Sequence, residues 1–242
     1  MKKSIQLILT LVIATAIHVH AQQYGVSISG GMATFQPDEL KDYQNELLLR
    51  APVPVQGFNY FPPYSNIRLE LFARELSGLK YGLTFVYNTT GAHGNYTDES
   101  GYLNIDQVLT ANQVGATVGY MFWKAGRFGL GAYGDLRLGY IRDKVNATII
   151  TSYYQETNEL KLSAFTPLAE AGLEAVLDFT GFSVGIEAGW LADPGLKFKE
   201  GTEYIINPTI SLSPGKTLHT NISGWRTGIR LVRWLGTDGL SE

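Results

Sequence analysis

Residues 128–140 read Phe128-Gly129-Leu130-Gly131-Ala132-Tyr133-Gly134-Asp135-Leu136-Arg137-Leu138-Gly139-Tyr140, a run that changes character at every step. Phe128, Leu130, Ala132, Leu136, Leu138 and Tyr140 share one parity; Gly129, Gly131, Tyr133, Asp135, Arg137 and Gly139 share the other. In a β-strand successive side chains point to opposite faces, so the period of two describes a strand that is greasy on one side and small or charged on the other. The apolar parity is too long and too uniform for a surface strand of a water-soluble sheet, whereas a strand with lipid outside and a crowded lumen inside needs this pattern.

The same alternation recurs in both directions along the chain. Residues 182–190 set Phe182, Val184, Ile186, Ala188 and Trp190 against Ser183, Gly185, Glu187 and Gly189, and residues 224–231 set Trp225, Thr227, Ile229 and Leu231 against Gly224, Arg226, Gly228 and Arg230. Weaker copies occupy residues 24–35, 66–74, 80–88, 108–123 and 167–179. The spacing predicts an all-β fold: an eight-stranded antiparallel transmembrane up-and-down β-barrel with short periplasmic turns and long extracellular loops. Connections alternate accordingly, short at residues 75–79, 124–127 and 180–181, long at residues 36–65, 89–107, 145–166 and 191–221. Tyr and Trp are expected at both edges of the apolar band, with Trp234 among those at the periplasmic edge.

The N-terminus opens with Lys2-Lys3, continues through an apolar stretch at residues 5–17 and closes with Val19-His20-Ala21. This reads as a secretory signal peptide over residues 1–21, leaving residues 22–242 as one outer-membrane barrel domain. Loss of Lys2 and Lys3 shifts the formal charge from −3 to −5, which disfavours a nucleic-acid partner. The chain has no cysteine, so no disulfide framework can hold it, and closure of a barrel must do so instead.

The non-lipid parity carries Arg68, Arg74, Arg137, Arg226 and Arg230 with Glu70, Asp135, Glu170, Glu174 and Glu187. Charges in a narrow interior are costly unless paired, so these ten are expected to form a salt-bridged network that fills the lumen. The first long connection carries Leu40, Tyr43 and Leu47 at helical spacing, then a proline-rich stretch with Phe58, Tyr60, Phe61 and Tyr64. It predicts a short surface helix followed by an aromatic arm that either meets a partner protein or glycan or lies over the barrel mouth.

No catalytic, cofactor-binding or metal-binding constellation stands out. His93 has Asp98, Glu99 and Ser100 near it in sequence, and His219 precedes Ser223, but sequence alone brings neither set together. The mature chain has neither cysteine nor a His-x-x-x-His spacing.

The Ala21-Gln22 junction, the glycine-rich start Tyr24-Gly25-Val26-Ser27-Ile28-Ser29-Gly30-Gly31 and the closing Thr227-Gly228-Ile229-Arg230-Leu231 resemble the small outer-membrane β-barrel proteins of the Bacteroidota. In architecture they resemble the transmembrane domain of OmpA-type proteins. The resemblance spans residues 22–234. It departs from the group at the C-terminus, where residues 235–242 follow Trp234 in place of a terminal aromatic. It implies an exported, monomeric barrel in contact with outer-membrane lipid, with a structural or surface-interaction role and partner-binding extracellular loops; from the residues, no enzymatic activity is expected. A small porin-like transport or translocation-accessory barrel is the alternative, and a lipid-modifying enzyme is a third.

Overall fold

The computed structural model describes residues 23–34, 39, 42, 63–99, 101–200 and 218–235. The expected signal peptide, most of the surface helix, and Phe58, Tyr60 and Phe61 lie outside the described residues; Glu39 and Asp42 are both helical. The strands are β1 (Gln23–Ala33), β2 (Tyr64–Arg74), β3 (Leu79–Asp98), β4 (Gly101–Ala125), β5 (Phe128–Thr151), β6 (Tyr154–Phe179), β7 (Phe182–Ala192), the two-residue β8 (Lys199–Glu200) and β9 (Gly224–Leu235). Every pairing is antiparallel; β1 to β7 pair in chain order, and β9 pairs with both β7 and β1. Eight strands therefore close a ring, with β8 added to the upper part of β6.

The register fixes the dimensions. One way round the ring, Ser27 leads through Glu70, Thr84, Gly115 and Arg137 to Leu168. The other way it leads through Val232 and Ser183 to Asp178, so the circuit closes with a shift of ten residues along β6. Eight strands with that stagger tilt by about 41° and leave a backbone radius of about 8 Å. Such a cylinder holds its own side chains and little else. An 11-residue strand such as β1 at this tilt covers about 28 Å of height, close to the apolar band of an outer membrane.

That band is on the outside. Ile28, Met32, Leu69, Leu71, Leu83, Val114, Leu136, Leu138, Leu173, Ile186, Ile229 and Leu231 are all exposed. Aromatic pairs rim it at both ends. Trp123 meets Phe128 and Phe179 stacks on Phe182 at the short-turn end. Tyr140 meets Phe165 and Trp190 meets Trp225 at the other. Trp234 is a correction: it points inward, packs edge-on against Phe72 at 5.5 Å and donates its indole N–H to Ser183 at 2.7 Å. The tight turns need left-handed backbone at Gly126 (φ 58°) and Gly181 (φ 78°), which glycine adopts without steric cost.

Two of the expected long loops are strands. Residues 89–98, 101–107 and 145–166 continue β3, β4, β5 and β6 beyond the apolar band as one four-stranded sheet, with Asp98 paired to Gly101 at one tip and a tight turn at residues 152–153 at the other. The strand parity never slips; the polarity of the faces inverts. Below Gly139, Asp135 and Arg137 point inward while Leu136 and Leu138 point outward. Above it, Ile141, Val145 and Ala147 point inward while Arg142 and Lys144 point outward. Water has replaced lipid outside, and an apolar core has replaced the charged lumen inside.

Candidate functional site

Two tiers fill the interior. In the lower one, β2 supplies Arg68 and Glu70, β5 supplies Tyr133, Asp135 and Arg137, β6 supplies Glu170 and Glu174, and β9 supplies Arg226 and Arg230, all buried because strand alternation aims them at the axis. Arg68 reaches Glu70 at 2.6 Å, Asp135 at 2.7 Å and Glu170 at 3.5 Å, with its guanidinium 4.8 Å from the Tyr133 ring. Arg230 bridges Glu70 and Glu174. Arg137 pairs with Glu170 and lies 3.9 Å from Asp135. Arg226 lies 3.6 Å from Glu170 and donates to Asn66 and Tyr64. Glu187 accepts the Ser29 hydroxyl at 2.7 Å.

Lys80 is a member that sequence reasoning missed. It is buried and lies 3.2 Å from Glu174 and 3.8 Å from Glu70. Its parity on β3, shared with Thr84 and Asn88, is the signal that could have found it. Arg74 sits apart, half-buried at the short-turn end, bonded to Gln23 and 4.1 Å from the Trp234 ring. Among the described residues the central cluster thus holds five cations, with Lys80 in place of Arg74, against five carboxylates. Tyr64, expected in a surface arm, is corrected to the first residue of β2: it is buried, points into the lumen and meets Arg226.

The upper tier is apolar. Leu109, Ile141, Val145, Leu160, Leu162 and Leu168 face inward from the extended strands and pack against Leu191 near the end of β7 and against Phe198, Leu218 and Ile222 of the connection that follows it. That connection is laced into a lid: the Phe198 N–H donates to the Leu218 carbonyl and the Thr220 N–H to that of Leu196. Asp193 ties its ends together. Its carboxylate accepts the Thr166 hydroxyl and the N–H groups of Gly195 and Ile222, each at 2.9 Å. Within the apolar tier one carboxylate is fully buried: Asp143, above the band, accepts from Gln107, and burial pushes its carboxyl up to about 7.

The two histidines sit elsewhere, each beside a carboxylate. His93 contacts Asp106 across β3 and β4 on the outer face, while Asp98 accepts from Tyr96 and the Gly101 N–H. His219 lies against Glu39 at 2.8 Å, docking the first connection on the lid. Ser223 bonds Asp193 rather than His219.

No protein-family model and no curated protein matches the sequence. Solved structures do. The attachment invasion locus protein Ail of Yersinia pestis, in complex with the heparin analogue sucrose octasulfate, is 11% identical with a TM-score of 0.43, covering 89% of this chain and 99% of that one. Neisserial surface protein A is 10% identical with a TM-score of 0.37, covering 87% and 96%. The outer membrane protease OmpT from Escherichia coli is 10% identical with a TM-score of 0.39, covering 89% and 97%. These neighbours are outer-membrane β-barrel proteins, and the likeness is one of fold. The expectation of no enzymatic activity is withdrawn, since a protease stands among the structures that share this architecture.

Proposed function

We propose that this chain is an outer-membrane anchor for a surface-interaction sheet, exported with residues 1–21 removed and inserted with its short turns in the periplasm. The observation that carries it is the continuation of β3, β4, β5 and β6 well past the aromatic rim. Beyond Tyr140, β5 alone runs another 11 residues, from Ile141 to Thr151, about 27 Å of projecting height at the barrel's tilt.

A rigid projecting sheet costs a partner little ordering entropy on binding. Its tip presents Tyr153, 100% exposed, beside the exposed Tyr154 and Ile150, the large apolar side chains that anchor protein contacts. From Gly91 onward β3 pairs, among the described residues, with β4 alone, and a sheet edge of that kind accepts an extended polypeptide. The partner is therefore a protein, and the anchor a filled barrel that needs no pore.

The test is adhesion. Cells displaying the full chain are compared with cells displaying Tyr153→Ser/Tyr154→Ser on an array of immobilised extracellular proteins, with detergent-gel mobility, boiled against unboiled, confirming equal folding. Binding lost in the variant supports the proposal. Equal binding by both, or by cells lacking the protein, overturns it.

A further inference from the structure

The outward face of β5, β6 and β8 changes abruptly at the aromatic rim. Tyr140 and Phe165, ring centroids 4.7 Å apart, end the apolar band. In the next outward row Arg142 lies opposite Ser163, which lies opposite Lys199; one row higher, Lys144 lies opposite Lys161. Four cations thus occupy two rows on three adjacent strands, in a chain whose formal charge is negative.

Like charges placed directly opposite each other across a strand pair are destabilising. One carboxylate, Glu159, answers two of them, 2.6 Å from Lys144 and 3.6 Å from Lys161. None of the ion pairs among the described residues involves Arg142 or Lys199, both exposed, and Arg142 lays its guanidinium 5.3 Å from the Tyr140 ring instead. The patch is left with a surplus of positive charge at the height where lipid headgroups lie, directly above side chains that touch acyl chains.

We infer that this patch binds the phosphorylated headgroup of an outer-leaflet lipid. A phosphate carries nearly two negative charges and three strong acceptor oxygens at neutral pH. Arg142 can meet it with two parallel N–H donors, and Lys144, Lys161 and Lys199 supply point charges around it. Phe165, Leu138 and Leu136 continue the contact down the acyl chain. The inference rests on the membrane placement proposed above but not on the protein partner, so it survives failure of the adhesion test.

The experiment uses the full mature chain in neutral maltoside micelles, titrated with dioleoyl phosphatidic acid and, separately, with dioleoyl phosphatidylcholine, and read by native mass spectrometry. Saturable phosphatidic acid adducts are expected, with phosphatidylcholine adducts rare. Each basic group near an anionic surface contributes about a fivefold factor. The Arg142→Gln/Lys199→Gln variant is therefore expected to bind more than about tenfold more weakly, and the fourfold glutamine variant more weakly still, with the boiled and unboiled gel shift unchanged. Equal affinity of the double variant, or equal binding of both lipids, overturns the inference. Competition by millimolar inorganic phosphate or sucrose octasulfate as effective as that by phosphatidic acid also overturns it, because the site would then take soluble anions without needing the lipid.

Discussion

Gln107 donates to the Asp143 carboxylate at 2.8 Å inside an apolar shell above the membrane band. Asp143 Oδ1 and Gln107 Oε1 have no hydrogen-bond partner among the described residues. A proton on the carboxyl supplies a donor where the site holds idle acceptors and removes a charge that burial penalises.

The folded-state carboxyl is thus raised from 3.8 to about 7, and the sign of the linkage follows. The folded protein holds this proton more tightly than the unfolded chain. The stabilisation is fully present below about pH 4 and is lost as pH rises to about 7, by roughly 4 kcal/mol at most. Asp143→Asn keeps the shape and stays neutral at every pH. The difference in thermal midpoint between Asp143→Asn and wild type, measured by tryptophan fluorescence in detergent, is expected to grow from pH 4 to pH 7 and then level off. A flat difference would show that Asp143 is not buried as a charge-sensitive group.

Curvature makes a second prediction. A methyl group added at Gly31, on the inward parity of β1, would stand 1.9 Å from the Thr227 carbonyl oxygen, and backbone cannot move aside as a side chain can. One added at Gly30, on the outer face, would meet nothing within 4 Å. Gly31→Ala is expected to cost several kcal/mol at the seam where β1 closes on β9, and Gly30→Ala to be neutral within about 0.5 kcal/mol. The fraction refolded into detergent, read from gel mobility, distinguishes the two; equal yields would mean that the seam is loose.

The spanning part of the barrel was legible because lipid imposes one rule on every strand: apolar outward. Leu136 and Leu138 against Asp135 and Arg137 carried that rule, and Glu70, Glu170 and Arg230 followed from parity. The projecting sheet was missed because its rule is reversed. Ile141, Val145, Leu160 and Leu162 are apolar on the inner parity, so a search for outward apolar residues lost the strands at the rim although the period of two ran on. The lid had no period to follow. Phe198 and Leu218 are joined by a backbone hydrogen bond and Ile222 is held by its tie to Asp193, contacts between segments distant in the sequence.

Glu170 makes the last prediction. Its carboxylate pairs with Arg137, lies within 3.6 Å of Arg68 and Arg226, and accepts the Tyr133 hydroxyl at 3.0 Å. No other carboxylate among the described residues has ion-pair contacts with three arginines. Removing one partner of a buried pair leaves the others as uncompensated charges, at about 3–5 kcal/mol. Glu170→Gln is therefore expected to lower the urea midpoint of unfolding in lipid vesicles sharply. Adding Arg137→Met, which deletes the cation most directly left without its partner, is expected to restore part of the loss even though it removes a second polar group. A double variant weaker than the sum of the two single variants would mean that Arg137 is held by Asp135 instead, and that the network is a set of separate pairs.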